Sequence, residues 1–248
     1  MELKLMFHVH TKYSFDSSLD PGRVVQCAIK SGYDIISVTD HGTVAGSLAV
    51  KEIIEKRNLP LLAIIGAEYR TDRGDIIGLF LNVEDDCLRS PGRNFKDVIN
   101  WVKEMDGITV LPHPFREEEA DRDVVELVDL IEVYNGRSSP HDNERAAFLA
   151  EECSKPILAG SDAHSLVELY GTAVIFHSDA NEIQDRKKLK RIILNDRRHI
   201  YYCPRGRMHR VLNAMIQSYQ LRDVAPMVEL GLLGSSLLKK TLSRLTKR

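Results

Sequence analysis

The chain is poor in cysteine. Cys27, Cys87, Cys153 and Cys203 lie far apart with no CxxC pair, which argues against a zinc ribbon or a dithiol redox motif, and a chain of 248 residues can bury a core without disulfides. An excess of one charge is also missing. Thirty-four Lys+Arg stand against 36 Asp+Glu, a formal net charge of −2, so any nucleic-acid or membrane partner must be found by a local patch rather than by a bulk field. No window approaches the roughly 18 apolar residues of a membrane span. The opening MELKLMFHVH lacks the basic segment and long apolar run of a secretory leader. The expectation is a cytoplasmic protein with no transmembrane segment. No internal repeat, low-complexity tract or Pro/Gly/Ser-rich linker divides it.

What is present is ordinary globular material, 43% hydrophobic and 28% charged. Apolar runs rich in Ile, Val and Leu predict strands over 3–9, 34–40, 61–69, 75–82, 108–113, 129–135, 156–162 and 172–178. Most are apolar on both faces, as buried parallel strands are. Amphipathic patterns between them predict helices over 22–31, 43–57, 94–105, 121–128, 141–153 and 182–195, with Gly32 and Gly107 suited to helix C-termini. This alternation implies an α/β fold of parallel β/α units, closed into a barrel or left as an open sheet. After Pro204 the texture changes. Met208, Val211, Met215 and Tyr219 recur at helical spacing, and Leu238, Leu242 and Leu245 share a face apart from Lys239, Lys240, Arg244, Lys247 and Arg248. The reading is a main domain over 1–203 and a helical C-terminal extension over 204–248.

The ionisable residues gather where the strands are predicted to end. FHVHTKYSFDSS supplies His8, His10 and Asp16, VTDHG supplies Asp40 and His41, and GAEY supplies Glu68. LPHPFR supplies His113, and GSDAH supplies Asp162 and His164. In parallel β/α folds those ends share one face, where residues from different strands converge. A His-x-His pair on a strand points both rings to the same side. The set is nitrogen and oxygen only, which suits Mn, Zn or Fe, with Mg disfavoured by its preference for all-oxygen shells. These ligands are too many for one ion, and a bridging carboxylate such as Glu68 can hold two about 3.5–4 Å apart. Taken singly, each has a bland role open to it: Asp40 as a helix cap, Asp16 as a turn holder, His113 as a structural His-Pro. A buried, unpaired Glu68 is harder to place that way, and one cation cluster accounts for all the strand ends together.

The ordered motifs HVHTKYSFDS, SVTDHG, GAE, HP and GSDAH resemble those of the polymerase and histidinol phosphatase (PHP) family, over roughly residues 1–200, and more closely its small stand-alone metal-dependent phosphoesterases. The resemblance implies a distorted (β/α)7 TIM-like barrel with two or three divalent ions at its C-terminal mouth. Carried over, His8, His10, Glu68 and Asp162 would hold one ion, Glu68 and His113 a second, and Asp16, His41 and His164 a third. Asp40 would act behind them by fixing His41. The family commonly has a further His or Cys ligand on the strand after HP, where this chain has EVYNGR, so Glu132 or Asn135 would fill in.

The implied reaction is hydrolysis of a phosphate ester of a small metabolite or nucleotide by water that the cations activate. His164 or a cation-bound water would protonate the leaving group, and Arg116 and Arg137 would grip the phosphate. His141, His177, His199 and His209 have no ligand spacing. Alternatives are a 3′–5′ exonuclease or exoribonuclease, favoured by the basic stretch 185–198 and the basic tail, and a histidinol phosphatase. A further alternative is a non-enzymatic metal-binding barrel whose tail docks a protein partner or an anionic membrane surface.

Overall fold

Helix starts are written into the sequence as capping residues. The computed structural model describes residues 1–83, 92–116, 119–178, 183–195 and 198–202. The tail assigned to 204–248 lies outside them. Asp20 caps α1 (Pro21–Lys30) by accepting from the Gly22 amide, with Pro21 at the first helical position. Asn94 caps α3 (Phe95–Glu104) and Asp121 caps α4 (Arg122–Leu127). Ser139 and Asp142 form a capping box on α5 (Pro140–Glu152). The remaining helices are α2 (Ala45–Lys56) and α6 (Arg186–Asn195). Gly32 ends α1 in the left-handed conformation, φ 68°. At the end of α3 that role falls to Asp106, φ 54°, not to Gly107. Gly107 is needed for another reason, since a Cβ there would lie 2.7 Å from the Val102 carbonyl and 2.9 Å from that of Leu79.

The strands form two five-stranded sheets. The first is ordered β10 (Arg198–Tyr202), β9 (Thr172–His177), β1 (Glu2–Met6), β2 (Ile35–Ile36), β3 (Leu62–Ala63). The second runs β4 (Gly66–Thr71), β5 (Gly74–Leu79), β6 (Ile108–Leu111), β7 (Leu130–Asn135), β8 (Ile157–Gly160). Both are mixed, which corrects the all-parallel expectation: β9 runs antiparallel to β1 and β10, and β5 to β4 and β6. The predicted strand 61–69 is also two strands, and they belong to different sheets. The two sheets are linked through the isolated parallel bridges Val9–Ala163 and His41–Glu68.

Alternation along the strands sorts the core. Leu3, Leu5, Phe7, Ile77, Leu79, Val110, Leu130, Leu158, Val174 and Phe176 pack together between the sheets. Their sequence neighbour Met6, and Val9 beyond the left-handed His8, pack in the cluster that includes α1 and α2, while Ile76, Leu111 and Ile131 pack in the cluster that includes α3, α4 and α5. Strands covered on both faces need continuous apolar runs, which is what the sequence shows. Truncating a fully buried ring such as Phe7 to alanine costs about 3–5 kcal/mol in such a core.

Candidate metal centre

The chain leaves regular strand geometry where the ligands begin. β1 ends at Met6, and His8 adopts φ 59°, so His8 and His10 do not face one side through strand alternation as expected. They are brought together anyway, with ring centroids 5.3 Å apart. His113 (φ 29°) and Asp162 (φ 49°) take the same left-handed backbone just past β6 and β8.

All eight ligand candidates converge, and they sort into three overlapping groups: His8, His10 and Asp162; His8, Glu68 and His113; and His10, Asp16, His41 and His164. Within each group the donor atoms lie within 4.8 Å of one another. His8 Nε2 stands 3.3 Å from Glu68 Oε2 and 3.5 Å from Asp162 Oδ1. His10 Nε2 stands 3.1 and 3.3 Å from the same two oxygens. Glu68 faces two ways, its Oε1 3.0 Å from His113 Nε2, as a bridging carboxylate would. His164 Nε2 lies 2.8 Å from Asp16 Oδ2, and His41 Nε2 lies 3.4 Å from that oxygen.

Whether these residues fit a cation can be judged from His10. Its Nε2 is buried and makes no well-formed hydrogen bond, although two carboxylate oxygens are close. An orphaned buried nitrogen is expensive, and separations near 3.3 Å match two ligands sharing one ion at bonds of about 2.0–2.2 Å. Nitrogen and carboxylate oxygen in one pocket suit a divalent transition ion. The residues fit.

Hydrogen bonds behind the ligands set the rings. His8 Nδ1 donates to Glu132 Oε1 at 2.9 Å, leaving Nε2 for a cation. The other Glu132 oxygen accepts from the His113 amide and from Asn135 Nδ2, both at 2.9 Å. Glu132 and Asn135, the residues expected to fill in as a ligand, are thus engaged with His8, with the His113 amide and with each other, behind the eight candidates. A register shift in β7 between Glu132 and Tyr134 helps to turn both side chains inward across their odd spacing. His164 Nδ1 lies 3.0 Å from the Asp162 carbonyl, so Nε2 again faces the cluster. Asp40 is fully buried, but it holds Thr11 through the Thr11 amide and hydroxyl, not His41. It thereby pins the backbone next to His10. Ser14 does similar work, its hydroxyl donating to Asp16 Oδ1 at 2.8 Å and accepting from the His41 amide at 3.2 Å.

The electrostatics follow from packing both signs together. Burial alone would lower the His10 pKa, but Asp162 and Glu68 outweigh it and raise it to about 9. Burial would lift Asp162, yet Arg116 and His8 hold its carboxyl well below the usual range. Burial, then Arg137 and His10, push His164 down to about 4 against the pull of Asp16. The two arginines are placed differently. Arg116, expected at a phosphate, donates to Asp162 and reaches Asn135 Oδ1 at 3.5 Å. Arg137 Nη1 lies 3.0 Å from His164 Nδ1.

Beside His113 opens a cavity of about 680 Å³, lined by Arg70, Arg73, Asp75 and Asp121 among others. Asp75 is a carboxylate that strand-end reasoning misses. It is buried, 4.0 Å from His113 Nε2, and burial and Glu68 raise its pKa. Its signal is an aspartate opening an otherwise apolar strand. His177, which has no ligand spacing, pairs with Glu2 at the other end of β1. Arg186 and Lys190 of the basic helix reach the Asp106 loop before β6, at the opposite end of that strand from His113. No helix among the described residues is long and apolar enough to cross a membrane.

Fold and centre together define an α/β protein built around a histidine–carboxylate cluster suited to divalent cations. The chain belongs to the PHP family: the PHP domain model matches residues 7–152, and a PHP-associated model matches 140–190. It is 32% identical over 146 residues to the uncharacterized protein MJ1587 of Methanocaldococcus jannaschii, covering 54% of this chain and 82% of that one. To MJ0417 of the same organism, also uncharacterized, it is 30% identical over 190 residues, covering 72% of each. Among solved structures it resembles a two-domain protein of Bacteroides vulgatus containing a predicted PHP-like metal-dependent phosphoesterase. The TM-score is 0.68 at 20% identity, over 82% of this chain and 65% of that one.

Proposed function

We propose that this protein is a metal-dependent phosphoesterase that hydrolyses a phosphate ester of a small metabolite or nucleotide. One observation carries the reading: eight imidazole and carboxylate side chains from both sheets gather into three overlapping groups, two of which share His10, whose buried Nε2 has no hydrogen-bond partner. Mn, Zn or Fe ions bound there would supply an activated water and would neutralise phosphoryl oxygens. In this reading His8, His10, Glu68 and Asp162 hold one ion, Glu68 and His113 a second, and Asp16, His41 and His164 a third. The barrel geometry of the family is part of the proposal, the two sheets being its two walls.

Among the chain's own groups, Arg137 is the residue assigned to a phosphoryl oxygen, because its guanidinium already reaches the ligand ring of His164. Arg116 neutralises and orients Asp162. His164 serves as a ligand and not as the proton donor, since its Nδ1 lies against a backbone carbonyl and its Nε2 faces Asp16. The cavity beside His113 falls within the roughly 300–1,000 Å³ usual for small-molecule sites. That favours a small ester over a long oligonucleotide, and the engagement of Arg186 and Lys190 away from the centre removes part of the charge argument for a nuclease.

The test is turnover by the Mn-loaded protein of mononucleotides, sugar phosphates, histidinol phosphate and short oligonucleotides, against a His8→Ala, His10→Ala double variant. Turnover of a small ester by the wild type alone is expected. Equal turnover by the variant would overturn the assignment, and turnover confined to oligonucleotides would replace it with the nuclease.

A further inference from the structure

Four rings form a row from the interior of the centre to its surface. His164 stacks on His10, centroids 4.2 Å apart and planes 21° apart. His10 lies 4.6 Å from His41, and His41 stacks on Phe15 at 5.2 Å and 27°. The first three rings carry donor nitrogens. Phe15 has none, and it is 77% exposed, so with one face on His41 its other face is open at the mouth.

A single exposed phenylalanine in a loop is ordinary. Phe15 differs because the centre itself places it. Its neighbours Ser14 and Asp16 are both buried, Ser14 bonded to Asp16 and to the His41 amide, and Asp16 facing His164 and His41. With both flanking side chains turned inward, the side chain between them is held outward as the last ring of the stack. Offset or tilted stacking is the preferred arrangement for such rings, and an unused face invites one more.

We propose that Phe15 is a specificity-determining residue whose open face receives the planar ring of a nucleobase carried on the leaving group of the ester. The proposal rests on the phosphoesterase reading. Phe15 sits one ring beyond His41, so a base stacked on its open face lies one ring further out again and leaves the ligands free for the phosphate. Stacking reads flatness rather than hydrogen-bonding edges, so purines and pyrimidines are both accepted, while a phosphate ester without a planar ring gains nothing.

The experiment compares AMP with ribose 5-phosphate, which lacks the base, using Mn-loaded wild type, Phe15→Ala and Phe15→Trp. Both kinetics and equilibrium binding by calorimetry are read. In Phe15→Ala the ratio of kcat/KM for AMP to that for ribose 5-phosphate is expected to fall about ten-fold, mainly through KM, and Phe15→Trp to restore it. A purely structural role for Phe15 through His41 would lower both substrates alike and leave the ratio unmoved, which overturns the proposal. So does a fall seen with p-nitrophenyl phosphate but not with AMP. If nothing is hydrolysed, Phe15-dependent preference for AMP in the binding arm upholds the platform while the phosphoesterase reading fails. AMP binding indifferent to Phe15 overturns the platform whatever is hydrolysed.

Discussion

The two sheets bring unequal chemistry to the centre. The sheet containing β1 and β2, with the loops that follow them, contributes His8, His10, Asp16 and His41, mostly imidazole. The sheet running β4 to β8 contributes Glu68, His113, Asp162 and His164, together with Glu132 behind them, and so brings most of the carboxylate. Every ligand group draws on both sides. Neither half holds a complete site, and the cluster exists only where the sheets are joined at Val9–Ala163 and His41–Glu68.

The sharpest way to break this pairing is Glu68→Ala, which removes the carboxylate that faces ligands of both sheets. Turnover should fall by more than the roughly 100-fold that outer partners command, with metal content per chain, read by plasma mass spectrometry, falling alongside. Stripping the ions with a chelator tests the join itself. Each ion bound at about 100 times its Kd would add about 2.7 kcal/mol, so calorimetry of the chelated protein should show the melting temperature lower by roughly 5–10 °C for each ion lost.

Glu132→Gln separates a supporting role from a ligand role. Support predicts a loss of about 10–100-fold in metal affinity, measured by metal titration, whereas a loss as deep as that of Glu68→Ala would make Glu132 a ligand. Asp40→Asn should do less still. One of the two Thr11 contacts survives, so about 1–2 kcal/mol of stability goes with metal content intact, and a fall in metal content would return Asp40 to the centre. Smallest is Lys190→Ala, at the far end of β6, where small-ester turnover should not change. A marked loss of oligonucleotide binding would reopen the nuclease reading.

Much of this is legible in the sequence. The eight ligand candidates are identifiable because imidazole and carboxylate seldom recur at successive strand ends for packing alone, and helix starts are marked by Asp20-Pro21 and Ser139-Pro140. The direction of β5 is masked by its apolar run, and the strand bounds reveal it: only Asp72 and Arg73 separate it from β4, with Gly74 at φ 96°, and so short a link permits a hairpin but no parallel crossover. The roles of Glu132 and Asp40 are not legible. A buried carboxylate has the same sequence signature whether it binds an ion, an imidazole or a threonine, and only the register shift in β7 and the approach of Thr11 decide.

His8, His113 and Asp162 carry left-handed backbones, a conformation that costs a non-glycine residue about 1–2 kcal/mol. Each is a spring held down by what its side chain grips. When a chelator takes away that grip, these three points should let go before the sheets do, so amide exchange should quicken first around residues 8–10, 113–114 and 162–164 while the strands of the core remain protected.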